Sequence, residues 1–369
     1  LIKRCIISEF EEVKQQILGI LKDDSVIFSP TEQVLKQTQQ LSEYFGKSHH
    51  SLDVVLNTRL KTRMKEVWKK NGINTPSSKL VNSTDEIIDL INNGQLSYPF
   101  LLKPSCGFSS CGVSRVNNEK ELLRDIKKIH LLNMSQYKKE DLGECGILVE
   151  EYISGVEYAV DTLWLDGNPI FHGLLEREKS RSCNFPDRLY QQNPNLSPDI
   201  KSKILASVEN GVKATGITRG ATHTELIYSD EKFYLIETTS RPGAGGIFYE
   251  LFSASKKYDV FDLYYRIETN RAINDYFDDK QVDKKSKYYW YNLPYKSSGL
   301  IKDIYGLNKL EDRKEVLSYM CSFQVGDFIQ DEKINSKYFT WVLGRLNNDE
   351  DIESICKEYD ELVKIEYRQ

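Results

Sequence analysis

The sequence predicts an α+β protein in three parts. These are a short α/β N-terminal region at 1–57, a central region at 58–268 and an α+β closing domain at 269–369. Three observations carry this. Strand and helix patterns alternate through the first half, as in mixed-layer folds. A loop of small residues, Ser105 to Gly112, separates two strand patterns instead of opening a helix. The stretch from His223 to Thr239 reads as a hairpin with acidic residues inside apolar runs.

The elements follow in order. Residues 9–22 have a helical period, and 25–29 read as a short strand. Thr31 is placed to cap a helix carrying Val34, Leu41 and Phe45, which Gly46 ends. The N-terminal region resembles half of a nucleotide-fold domain. A helix over 58–71 turns Leu60, Met64, Val67 and Trp68 inward and stops at Gly72. Lys65 is expected on its exposed face. Ile73 to Pro76 leads out extended. Strands at 98–104 and 113–116 flank the small-residue loop, and a helix covers 119–129. The central region divides there, into 58–146 and 147–268.

Strands at 147–153, 157–165 and 170–176 come next, the last two joined by Asp166-Gly167-Asn168-Pro169. Residues 180–199 are polar and read as a loop, and 200–214 as a helix. The charged stretch 271–289 reads as a linker or an exposed helix. Strands near 290–293, 299–301, 338–343 and 363–367, with a helix at 349–361, complete the closing domain.

Composition narrows the function. The 369 residues carry a net charge of −5, which suggests no nucleic-acid partner and no anionic membrane surface. No apolar run approaches the roughly 20 residues that span a bilayer. The start, Leu1 to Cys5, shows no signal-peptide pattern, so a cytoplasmic protein is expected. Because Leu1 is not Met, the N-terminal region is expected to be trimmed. Seven scattered cysteines read as reduced thiols. Cys106 and Cys111 lack a second pair or a nearby His to complete a zinc set.

The hairpin suggests cation chemistry. Side chains alternate along a strand. With a three-residue loop at Ser229-Asp230-Glu231, His223, Glu225, Leu235, Glu237 and Thr239 share one face. Two carboxylates on one face repel unless a cation lies between them, and hard oxygen ligands suit Mg²⁺ held against phosphates. Small residues after a strand lysine, Lys103, let backbone N–H groups approach anionic oxygens. The loop is neither a Walker loop nor a dinucleotide fingerprint, because the lysine precedes the glycines and a strand follows.

Taken together, Lys61, the L-L-K-P of Lys103, the S-C-G-F-S-S-C-G-V loop, L-V-E-E-Y-I-S-G-V-E-Y-A-V-D and H-T-E…I-E-T-T-S-R occur in one order. The series resembles the ATP-grasp superfamily across roughly residues 50–265. Within it, the R-P-G-A-G-G-I run and the G-L-I-K-D-I-Y-G segment are similar to the amino-acid ligase branch. The resemblance implies an ATP-grasp fold holding ATP between two α+β subdomains, with Mg²⁺ or Mn²⁺. It implies that Lys61 and Lys103 contact phosphates, with Ser109, Ser110 and Gly112 in the flap. Glu150 would meet the adenine amino group, the backbone near Tyr152 and Ile153 would complete the hinge, and Glu157 would bind the ribose. Glu225 and Glu237 would be metal ligands, with Thr239 where the family usually has a better ligand, Asn. Arg241 would hold the transferred phosphoryl group or a substrate carboxylate. Gly245 and Gly246 would lie by the substrate. His223 has a site role or only a strand-face one. His49, His50, His130 and His172 read as structural or exposed. Gly155 is expected to let the chain bend toward a ligand before Glu157.

The implied reaction joins a small-molecule carboxylate and an amine through an acyl phosphate, with Lys103 and Arg241 as catalytic groups. A homodimer is compatible with it. Two other readings stay open: a carboxylase working through carboxyphosphate, and a non-catalytic nucleotide-binding module.

Overall fold

The computed structural model describes residues 10–47, 50–107, 110–135, 146–178, 185–273, 285–295, 297–330 and 338–368. Expectations for Ser109, His49 and most of the 271–289 stretch lie outside them. The first helices are α1 (Phe10–Leu18), α2 (Leu35–Tyr44) and α3 (Leu52–Arg59). The strand expected at 25–29 is irregular, with no sheet neighbour among the described residues. A strand needs partners for its backbone groups. Thr31 makes no side-chain cap. Instead Ser29 Oγ accepts from the Thr31 N–H at 3.0 Å, and a 3₁₀ turn at Glu32–Val34 leads into α2.

The helix expected over 58–71 breaks at Leu60, which is extended at φ −100° and ψ 111°. Helix α4 (Lys61–Lys70) therefore begins at Lys61, whose N–H donates to the Ser105 carbonyl at 3.1 Å. The break ties Lys61 to the small-residue loop.

The first sheet unit holds β1 (Ser78–Val81), α5 (Thr84–Asn92), β2 (Phe100–Pro104), β3 (Ser114–Val116), α6 (Glu119–Ser135) and β4 (Ile147–Glu151). Its strands are antiparallel in the order β1-β4-β2-β3. Alternation decides the two faces. Phe100, Leu102, Ile147 and Val149 pack on α5 and α6, through Ile87, Leu122 and Ile126 among others. Leu101, Lys103 and Glu150 turn the other way.

The second unit holds β5 (Val156–Leu165), β6 (Asn168–Arg177), β7 (Leu189–Gln191), α7 (Pro198–Thr215), β8 (Gly220–Ser229), β9 (Lys232–Thr239), α8 (Ile247–Lys256) and α9 (Val260–Glu268). Strand β7 falls inside the segment expected to be a loop. The chain closes with β10 (Ser286–Asn292), β11 (Gly299–Tyr305), α10 (Leu307–Glu311), β12 (Val316–Cys321), β13 (Phe328–Ile329), β14 (Thr340–Asn347), α11 (Ile352–Leu362) and β15 (Lys364–Tyr367). Strands β10, β12 and β14 continue the sheet of the second unit, in the order β12-β14-β10-β7-β6-β5-β8-β9. Strand β7 is the bridge between them.

One face of this sheet packs on α4 and α7, with Trp68, Ile204 and Val208 against Val160, Leu226 and Leu235. The other packs on α8 and α9, with Phe252 and Leu263 against Leu163 and Trp290. The fold is of mixed α+β character. Among the described residues no helix is long and apolar enough to cross a membrane. Cys106 is disulfide-bonded, against the expectation of reduced thiols, while Cys111, Cys321 and Cys356 are free.

Two local expectations change. The hairpin turn has two residues, Asp230 and Glu231, both at positive φ, and Ser229 pairs with Lys232. A bulge then shifts the register, so Leu226 pairs with Leu235 but Glu225 with Glu237 and His223 with Thr239. The four polar residues keep a common face, whereas Leu235 turns into the core. At Gly155 a Cβ would lie 2.2 Å from the Tyr228 carbonyl oxygen. That glycine serves close strand packing.

Candidate active site

A cavity of about 300 Å³ opens between the two sheet units. Leu101, Lys103 and Glu150 line it from the first, and Glu157, Arg177, Glu225 and Glu237 from the second. Pro30, Thr31 and Glu32 of the N-terminal segment and Tyr338 of the closing domain complete its walls.

Its charges are arranged in pairs. Lys61 is bonded to Glu237, and Lys103 to Glu150. Burial opposes the charge on Lys61, yet Glu237 and Glu32 raise its pKa. Glu150 is wholly buried. Burial works against its ionisation, but Lys103 and Lys65 hold it below the usual carboxylate range. Lys65 is therefore buried, contrary to expectation. It stands one helical turn beyond Lys61, on the side that meets Glu150. The Glu150 carboxylate is already engaged by lysines, so an adenine contact through it competes with them.

On the hairpin, burial would raise Glu225, but His223, Arg177 and Lys61 bring it down to about 2. Burial likewise opposes charge on His223, and Asp161 overcomes it, raising the imidazolium to about 10. Asp161 Oδ1 is 2.7 Å from His223 Nδ1 and also accepts from the Gly243 N–H at 3.2 Å. His223 thus lines the cavity as a charged group held from behind. Thr239 Oγ1 is buried and has no hydrogen-bond partner among the described residues. His172 is a packing residue, with Nδ1 3.0 Å from Thr162 Oγ1 and Nε2 3.2 Å from Glu209.

Arg241 donates to Glu32 at 2.9 Å, and burial against its charge is outweighed by that carboxylate. Glu157 accepts from Arg177 at 2.7 Å. Arg177 also reaches Asp187 at 3.0 Å. Asp187 in turn accepts from Tyr190 and Tyr338, each at 2.9 Å.

The cavity brings together Lys61, Lys103, Ser110, Glu150, Tyr152, Ile153, Glu157, His223, Glu225, Glu237, Arg241 and Gly245. It does not include Gly112, Thr239 or Gly246 in its lining. Gly112 has φ +81°, and a Cβ there would meet Leu132 at 2.7 Å, so it shapes the loop from behind. Sequence reasoning missed Glu32, Arg177, Asp187 and Asp161. An arginine ending a strand of the hairpin's own sheet was the one visible signal, at Arg177.

Residues 96–250 match the family model described as an ATP-grasp domain. The structure of an L-amino acid ligase from Bacillus licheniformis superposes with a TM-score of 0.86 at 25% identity, covering 98% of this chain and 85% of that one. A D-alanine–D-alanine ligase of Pseudomonas entomophila is 30% identical over 50% of this chain, and the carbamoyl phosphate synthase large chain of Clostridium botulinum 25% identical over 57%. The chain spans 54% of the former's length and 18% of the latter's. This protein carries an ATP-grasp domain in the ATP-grasp fold and is similar, along nearly its whole length, to an L-amino acid ligase.

Proposed function

We propose that the protein is an ATP-dependent carboxylate–amine ligase joining amino acids, or an amino acid and a small acid. The observation that carries this is the meeting of Lys61, Lys103 and Arg241 with the facing pair Glu225 and Glu237 in one cleft. The residues fit both a nucleotide and a cation. Apolar Leu101, Val113 and Ile236 lie beside the lysines, as an aromatic base and its phosphates require. Thr239 Oγ1 is a buried oxygen on the carboxylate face without a partner among the described residues. Among the described residues no three His, Cys, Asp or Glu side chains gather as a cation cage. A Mg²⁺ or Mn²⁺ ion here would take Glu225 and Glu237, complete its shell from phosphate oxygens and water, and neutralise charge on the transferring group.

The chain's own groups then act by position and charge. Lys61 and Lys103 hold phosphate oxygens, and Arg241 steadies the carboxylate, which takes the γ-phosphoryl group of ATP to become an acyl phosphate as ADP is released. His223, charged and fixed by Asp161, places a positive group beside Glu225. An amine attacks the acyl carbon, phosphate leaves, and an amide remains. The test is a phosphate-release screen over pairs of amino acids with mass detection of the product. Release with amino-acid pairs and a condensed mass is expected. Release that needs bicarbonate and gives no amide would overturn the reading.

A further inference from the structure

Behind the cleft the structure buries a lysine that the proposed reaction does not use. Lys65 is 1% exposed and does not line the cavity, while Lys61, Lys103 and Glu150 do. Its Nζ lies 2.7 Å from Glu150 Oε2 and donates to Thr75 Oγ1 at 2.9 Å. The other Glu150 oxygen is taken by Lys103. One buried carboxylate thus bridges a lysine that faces the ligand and a lysine that does not.

The balance of charge gives this bridge a consequence. An ionised carboxylate with no access to water holds its counter-ion strongly, because losing it leaves a bare buried charge. If Lys103 were the sole partner, any anion in the cleft would have to draw it from an uncompensated Glu150. With Lys65 behind, Glu150 stays neutralised when Lys103 leaves. The same environment weakens the hold of Lys65 on its proton: burial, then Lys103 and Lys61, outweigh Glu150 and lower it to about 8. A lysine placed there against that tendency has an electrostatic task.

We propose that Lys65 is a positioning residue that neutralises Glu150 from behind, so that Lys103 can turn from Glu150 to the phosphates of a nucleotide in the cleft. This rests on reading the cleft as a nucleotide site.

The experiment is calorimetric binding of ATP and adenosine to the full chain and to Lys65→Met, Lys65→Arg, Glu150→Gln and the double variant Lys65→Met/Glu150→Gln. Lys65→Met should weaken ATP about tenfold and adenosine less than about twofold, the loss of one charge-assisted contact. Lys65→Arg should stay near wild type. In the double variant the ATP-to-adenosine ratio should return to that of Glu150→Gln alone, because no buried charge is left to capture Lys103. Equal losses for the two ligands would make Lys65 a packing residue and overturn the proposal. A double variant whose ratio stays about tenfold below that of Glu150→Gln would do the same, by showing that Lys65 does not act through Glu150. If Lys65→Met alone fails to fold, this last comparison still decides. Wild-type protein that binds no ATP would instead overturn the nucleotide reading itself.

Discussion

Two groups of residues in the cleft are built on opposite principles. In one, each cation is paired with a carboxylate that a ligand would compete for: Lys61 with Glu237, Lys103 with Glu150, Arg241 with Glu32. In the other, Arg177, Asp187, Tyr190 and Tyr338 satisfy one another, and the rings of Tyr190, Phe248 and Tyr338 surround Trp290 at 5.2–5.9 Å. The first works by exchanging partners. The second holds a shape. Substitutions at the first should therefore change ligand binding with little cost in stability, and substitutions at the second should do the reverse.

The sharpest test of the exchanging group is Glu237→Gln. It keeps the shape and removes one carboxylate of the facing pair. Turnover should fall by at least about 10²-fold, the scale on which lost electrostatic groups act. The melting temperature should hold. Phosphate release near the wild-type rate would remove Glu237 from the metal site.

Next in size is Lys103→Ala. ATP should weaken by about 10- to 100-fold and adenosine hardly at all, because the proposed role of the lysine is to meet phosphates and not the base. Equal losses in calorimetry would make Lys103 part of the fixed architecture and erase the contrast between the two groups.

In the shape-holding group, Asp187→Asn breaks the charge balance around Arg177. We expect about 1–3 kcal/mol of lost stability from a buried pair left uneven. ATP affinity and the KM for the carboxylate or amine should stay near wild type. Denaturant unfolding and steady-state kinetics check both, and a stable variant with weakened ATP would reverse the assignment of the two groups.

The smallest effect concerns Thr239→Asn. A carbonyl oxygen reaches farther than the present hydroxyl and is a better ligand. The half-saturating Mg²⁺ concentration should fall by a few-fold, about two to five, since Mg²⁺ demands near-ideal geometry. Titration at saturating ATP decides it. An unchanged or higher requirement would place Thr239 away from the metal.

What could be read from the sequence was local. Alternation along the hairpin sorts Glu225 and Glu237 onto one face, because period-two patterning depends on neighbours alone, while Lys103 and Glu150 were marked by the resemblance to the ATP-grasp superfamily. The bulge that sends Leu235 inward could not be read, since it depends on how two strands settle against α4 and α7. The break at Leu60 was hidden inside a good helical period. Lys65 looked exposed because an isolated helix gives no sign of a buried carboxylate 85 positions later. The pairs that orient the site are longer still in sequence: Asp161 with His223 is separated by 62 residues and Glu32 with Arg241 by 209. Spacing rules say nothing at that range.

That last pair makes the N-terminal segment a reporter of the cleft. Pro30 to Glu32 form part of its wall, and Glu32 restrains Arg241 directly. Binding free energies are reciprocal. A carboxylate that wins Arg241 from Glu32 loosens the segment's attachment by the same amount that the attachment costs the carboxylate. An amine that settles against Glu32 tightens it. Two substrates of opposite charge would thus push one surface segment in opposite directions, and the rate at which a protease cuts near residue 30 would tell which had arrived first.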